Sequence, residues 1–312
     1  MKHKNKLIVS SIGLSLMLGG CLDMNSSGVD KENDKQQETQ DEQLAKETYV
    51  SVQDYTGEGY ELDNGEKTDK IAEENREEID KAVKAFFRDS YKTEVVVHNV
   101  VGAADGATVF VESVGEPHFY TYAIIPIDVE RGVVLTDKVW SQEGQVENSI
   151  KTGIFAMIFD AEIATLDQYI EGVVNEYPVV GFTNEALENV RAGGYSTPYY
   201  YLNTMGDSLD SLFDLYIKNP ELSREEWKKK FDKNNYPADG IITTVYLYME
   251  EEGVEPDKEV FNKIVSDIEN MDGLAKGTYS VFLNDNLVDK SSSRGVKDNS
   301  LERSFPDDII KE

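Results

Sequence analysis

His98 and His118 are the residues of this chain best suited to moving protons, because an imidazole can both give and accept one. Glu116 stands two residues before His118, a spacing that puts both side chains on one face of an extended segment without pairing them. The two histidines fall on the first and third of four strands expected below, which a meander does not set side by side. No H-E-x-x-H pattern or third ligand accompanies them, so no two-histidine metal site is expected. A serine nucleophile calls for G-x-S-x-G; Gly194-Tyr195-Ser196-Thr197-Pro198 lacks the last glycine, and its proline opposes the helix that must follow. Carboxylate pairs cannot be singled out, since 60 aspartates and glutamates make some close pair unavoidable. Asp105-Gly106 and Asp285-Asn286 offer oxygen ligands, but neither lies in a calcium loop with its distal glutamate, and hairpin turns explain both better. Tyr195, Tyr199, Tyr200 and Tyr201, beside Pro198, form a candidate contact surface, because clustered tyrosines supply rigid amphipathic area at recognition sites. The alternative is that these rings fill the core; a contact surface requires at least two of them exposed. No catalytic residue, metal ligand or cofactor is assigned.

The remaining reactive group is Cys21, the single cysteine. Lys2, Lys4 and Lys6 give a basic start, Leu7 to Leu18 is apolar, and Leu18-Gly19-Gly20-Cys21 closes the run. This pattern reads as a secretory signal over residues 1–20. Its ending resembles the bacterial lipobox, in which the cysteine sulfur receives a diacylglyceryl group carrying palmitate-like chains and the chain is cut just before it. Two acyl chains at about 0.8 kcal/mol per buried methylene hold a protein on a membrane far longer than one. The expected address is therefore the extracellular face of the cell membrane, with the lipid on Cys21 as the membrane partner. Once Cys21 is used, no cysteine remains for disulfides, thiolate metal sites or cysteine nucleophiles.

Net charge is −29, and the signal removes three lysines and no acid. A field of that sign repels phosphate backbones, which excludes nucleic acid as a partner. Residues 21–48 are nearly devoid of apolar side chains and should form a disordered acidic tether. As a flexible coil of about 27 residues it would average roughly 30 Å end to end.

The elements that must carry any site begin with an amphipathic helix over 68–91, its face marked by Ile71, Ile79, Ala82, Val83, Phe86 and Phe87. Segments 94–101, 107–114, 119–127 and 133–140 are rich in Val, Ile, Phe, Tyr and Thr, with short turns between them. Such connections suit an antiparallel four-stranded meander, so 49–140 is expected to be an α+β subdomain. From 141 to 290 the pattern reads as mainly helical: 146–159, 166–177, a helix capped by Thr183, one opened by Asp207 or Ser208, and a capping box at Ser223–Glu226. Segments 241–252 and 256–270 around Gly253 suit an antiparallel helical hairpin, followed by a late strand over 278–283 and a turn at 284–286. Residues 291–312 read as a polar tail. The expected class is α+β: an N-terminal amphipathic helix on a four-stranded antiparallel meander, then a mostly helical second half with a late strand.

The chain also resembles a family of uncharacterised staphylococcal cell-surface lipoproteins classed as a domain of unknown function. The resemblance is carried by Tyr55-Thr56-Gly57-Glu58-Gly59-Tyr60, the run from Gly106 to His118, Thr197-Pro198-Tyr199-Tyr200-Tyr201, the run from Lys276 to Ser280, and the run from Gly295 to Asn299. It implies a lipidated Cys21 and brings no catalytic motif. Three functions compete. The first is a non-enzymatic surface module that binds an envelope or protein ligand. The second is a solute-binding lipoprotein of a transporter, which calls for two similar lobes around a cleft. The third is a carboxylate-dependent envelope hydrolase, which calls for acids converging in a cleft.

Overall fold

The computed structural model describes residues 47–312 apart from Ser208 and Asn234. The signal, Cys21 with Leu18, Gly19 and Gly20, and nearly all of the expected tether lie outside the described residues. Among the described residues the chain forms eight α-helices and twelve strands, arranged in sheets of two, four and six strands. Residues 46–312 cluster as one compact unit.

The first half opens with β1 (Tyr49–Ser51), α1 (Glu66–Glu74) and α2 (Arg76–Tyr91). The helix expected over 68–91 is in fact two. Asn75 breaks it by turning its side-chain amide onto the Ile71 carbonyl at 2.7 Å, a local bond that competes with the helical ladder. Strands β2 (Val95–Ala103), β3 (Gly106–Ser113), β4 (Tyr120–Asp128) and β5 (Val133–Val134) pair antiparallel in chain order. The fourth is only two residues long. Thr136–Lys138 turns into a 3-10 helix, and Trp140 meets Ile124 through a single bridge. Strand β2 carries a bulge between Val97 and Val100, so His98 and Asn99 sit where the register shifts.

The second half corrects the expected fold class. It is not mostly helical with one late strand; it is organised on a six-stranded mixed sheet. This sheet holds β6 (Val179–Val180), β7 (Tyr200–Thr204), β8 (Ile241–Met249), β9 (Gly277–Asn284), β11 (Leu301–Arg303) and β12 (Ile309–Lys311). The expected helical hairpin fails at β8, a nine-residue strand lying parallel to β9. Only α8 (Lys258–Asn270) is helical there, as the crossover between the two parallel strands. Ile241-Ile242-Thr243-Thr244-Val245-Tyr246-Leu247-Tyr248-Met249 is β-branched and aromatic almost throughout, as a strand buried on both faces requires. Its odd-numbered residues Ile241, Val245, Leu247 and Met249 join the large core, while Tyr246 and Tyr248 face a smaller one with Phe182.

The turn at 284–286 does not close a hairpin either, since β10 (Leu287–Asp289) pairs with β1. Residues 291–312, expected as a polar tail, return along β9, where β11 and then β12 occupy successive stretches of the same edge.

Between the four- and six-stranded sheets runs α3 (Gln145–Ile158), touching β4 of one and β7 of the other. Its buried residues include Val146, Ile150, Ile154, Phe155 and Ile158, and even Lys151, whose ammonium reaches Asp210 at 2.7 Å. Four further helices are α4 (Asp160–Glu176), α6 (Asp210–Lys218) and α7 (Arg224–Lys230), which pack on α3, and α5 (Asn184–Val190), which packs on β2 and β3. Thr183 caps α5 by accepting from the Ala186 amide, and Ser223 with Glu226 closes the capping box of α7.

Candidate functional site

The two histidines meet through a carboxylate that sequence reasoning passed over. Glu112 lies on β3, directly opposite Tyr120 of β4 in the register. Residues two apart on a strand share a face, so His118 stands on the same side as Tyr120, and Phe110 and Glu112 point away from the buried Val109 and Val111. On the other side of β3, the bulge in β2 brings His98 alongside. The result is a shared acceptor: Glu112 Oε2 lies 2.9 Å from His98 Nε2, and Oε1 lies 2.8 Å from His118 Nε2. His98 Nδ1 is 3.5 Å from Glu188 on α5, and Arg76 donates to the His98 carbonyl. Burial and the Glu112 charge push the Tyr120 phenol well above its usual range.

His118 also looks into a cleft of about 220 Å³, which is lined by α3 and α4 and edged by Glu116, Tyr195 and Arg224. The approach of the 117–118 segment to α3 depends on Gly153, where a Cβ would stand 2.8 Å from the His118 carbonyl oxygen. The polar groups of this cleft are bonded mainly to one another. Arg224 is held by Glu116 and by Asp160 at 3.2 Å, and Lys228 reaches the same Asp160 oxygen at 2.8 Å. The Tyr200 hydroxyl donates to Asp167 at 2.6 Å. The hydrogen bond from Lys228 holds the Asp160 carboxyl below its usual range, whereas burial pushes Asp167 up. Among the described residues no group of three or more His, Cys, Asp or Glu side chains is arranged to hold a metal ion.

Of the tyrosine cluster, Tyr200 is buried and Tyr195, Tyr199 and Tyr201 are half-buried. Tyr195 presents its ring edge to His118 at 6.2 Å between centroids, and the Arg191 guanidinium lies 4.9 Å from the Tyr201 ring centre. The rings therefore pack inward while three keep an accessible edge. Ser196 is buried, with its hydroxyl 3.4 Å from the Gly194 carbonyl. Asp105 occupies the β2–β3 turn with positive φ, and Asp285 pairs with Lys297 at 2.5 Å. Asn286 is fully buried and spends its amide on the carbonyls of Met249 and Glu250 and on Gln53.

A second cavity, of about 360 Å³, opens where the N-terminal half of α3 faces the end of β7. Its walls include Gln142, Asn148, Gly193, Asn203, Thr204 and Ile242. The segment between the two cavities is fixed to α3 by the Tyr195 amide, which donates to Thr152 Oγ1 at 2.9 Å. Nothing in the sequence pattern marked this cavity, because its residues come from three separate stretches of the chain, around Asn148, Asn203 and Ile242.

Residues 42–311 match the model of a family described as a protein of unknown function, DUF1672. No curated protein matches the sequence. The structure is similar to the crystal structure of a DUF1672 family protein from Staphylococcus aureus, with a TM-score of 0.68 at 17% identity. That likeness covers 85% of this chain and 98% of the other.

Proposed function

Because the chain belongs to the DUF1672 family, whose function is unknown, we propose a role from the geometry of its own residues: a lipid-anchored surface module that binds an envelope ligand without converting it. Cys21 carries the anchor, residues 22–48 the tether, and the folded unit the binding surface. The observation that carries this reading is a contrast between the two cavities. Groups able to do acid–base work are already bonded to each other, as Glu112 is to both histidines and Arg224 to Glu116 and Asp160. The other cavity instead carries Thr204 Oγ1, which is buried without a partner, beside the side-chain amides of Asn148 and Asn203. A polar group with no partner in the fold is one that a ligand can satisfy, which suits this cavity to recognition. Clustering of residues 46–312 as one unit also favours this reading over two hinged lobes.

One observation favours the hydrolase as a second reading. Asp160 and Asp167 line one cleft with their ionisation pushed in opposite directions, as an acid and a base would need. Incubating the full chain with envelope fragments separates the two. Retention of intact fragments supports the binding module; cleaved products that disappear in Asp167→Asn support the hydrolase. The anchor is tested separately by labelled palmitate, which should enter the wild-type protein and fail to enter Cys21→Ser.

A further inference from the structure

We infer that the cavity between α3 and β7 is a binding site for a neutral, hydroxyl-rich ligand of the saccharide class. This rests on the binding-module reading and names its ligand chemistry. The side-chain amides of Asn148 and Asn203 face no partner among the described residues. Gln142 uses only its oxygen, accepting from Tyr122 at 2.9 Å, which leaves its NH2 group to donate. Thr204 Oγ1, in the same wall, is buried without a partner. Gln145, by contrast, is committed to the Ala192 carbonyl and to Thr121.

A primary amide both donates and accepts, and so does a sugar hydroxyl. Three amides around one space can therefore engage neighbouring hydroxyls with few groups left over on either side. An anion would find no cationic side chain in this lining and would meet the charge of −29 besides. A cation would find one carboxylate, the exposed Glu143. Ile242 and Met205 give one wall an apolar surface, against which the C–H face of a sugar ring can pack. The volume of about 360 Å³ falls within the span of small-ligand pockets, roughly 300 to 1,000 Å³.

Gly193 supplies the means of testing this without removing any hydrogen-bonding group. A Cβ there would meet only Asn203 Oδ1, at 3.7 Å, and its φ is not in the left-handed region. A leucine at this exposed position would thus enter the cavity while leaving the backbone in place.

The probe is a panel of neutral hexose and N-acetylhexosamine oligosaccharides, with sulfated sugars and a polyamine as charged controls, titrated against the full chain in detergent. The expected result is saturable binding of a neutral sugar, weakened at least about tenfold in Asn203→Ala and in Asn148→Ala. Binding should vanish in Gly193→Leu while the melting temperature stays unchanged. Asn148 is exposed, so its variant remains informative if Gly193→Leu fails to fold. Binding of the polyamine alone, or of a sugar that is indifferent to all three substitutions, overturns the assignment. Capture of envelope fragments with no neutral sugar bound would defeat the ligand class and leave the module reading standing; failure to retain either defeats both.

Discussion

Replacing Glu112 with alanine removes the single acceptor shared by two histidines on different segments, and the loss should be measurable as stability. The His98 contact, at 2.9 Å with side chains 15% and 24% exposed, is a charge-assisted bond worth about 1.5 to 2 kcal/mol. The His118 contact is shorter, but that ring is 36% exposed, and solvent screening reduces it to under about 1 kcal/mol. The sum is about 2 to 3 kcal/mol, or roughly 5 °C in melting temperature for a unit of this size. Glu112→Gln keeps the shape and one acceptor oxygen, so it should lose about half as much. Glu188→Ala serves as the control, because its contact to His98 is 3.5 Å with the carboxylate 42% exposed, and should cost under about 0.5 kcal/mol. Urea unfolding at neutral pH reads all three. If Glu112→Ala unfolds at the wild-type midpoint, or Glu188→Ala costs as much, the shared-acceptor account of the cluster is wrong.

Other outcomes follow from the same geometry. Burial pushes the Tyr91 phenol up to about 12 from its ordinary 10.0, so its contribution to stability is fully present below pH 10 and lost as pH rises toward 12. Tyr91→Phe should accordingly lose less stability than wild type between pH 10 and about pH 12 in urea unfolding. The Asp160 carboxyl is depressed by its bond to Lys228, so its contribution is present at neutral pH and fades as pH falls through its folded value. Lys228→Met should accordingly separate from wild type in urea at pH 7 and converge with it in acid. At Gly194 φ is +95° and a Cβ would stand 2.2 Å from Thr152 Oγ1, so Gly194→Ala should cost at least about 2 kcal/mol in urea unfolding.

What the sequence made legible was local. Helix ends written in side chains, such as Thr183 and the Ser223–Glu226 box, are set by residues three apart and need no distant partner. What it concealed was long-range pairing. The run 241–249 is apolar enough to suit a buried helix or a buried strand, and only β9, reached through α8, decides between them. Strands β6, β11 and β12 have two or three residues each, too few to show any period, so the sheet they complete was invisible. The site was hidden for a related reason. His98 and His118 do not neighbour one another, as their strand positions imply, yet Glu112 on the strand between them joins both. Its signal was present, as the lone charged residue of β3.

The most direct measurement follows a mixture of neutral envelope saccharide fragments on the full chain, reading the bound fraction at equilibrium and the masses of the fragments afterwards. Saturable retention with every mass unchanged, lost when leucine replaces Gly193, is the expected result. Fragments of altered mass, or retention that the leucine leaves untouched, would contradict a module that recognises its ligand in the cavity between α3 and β7.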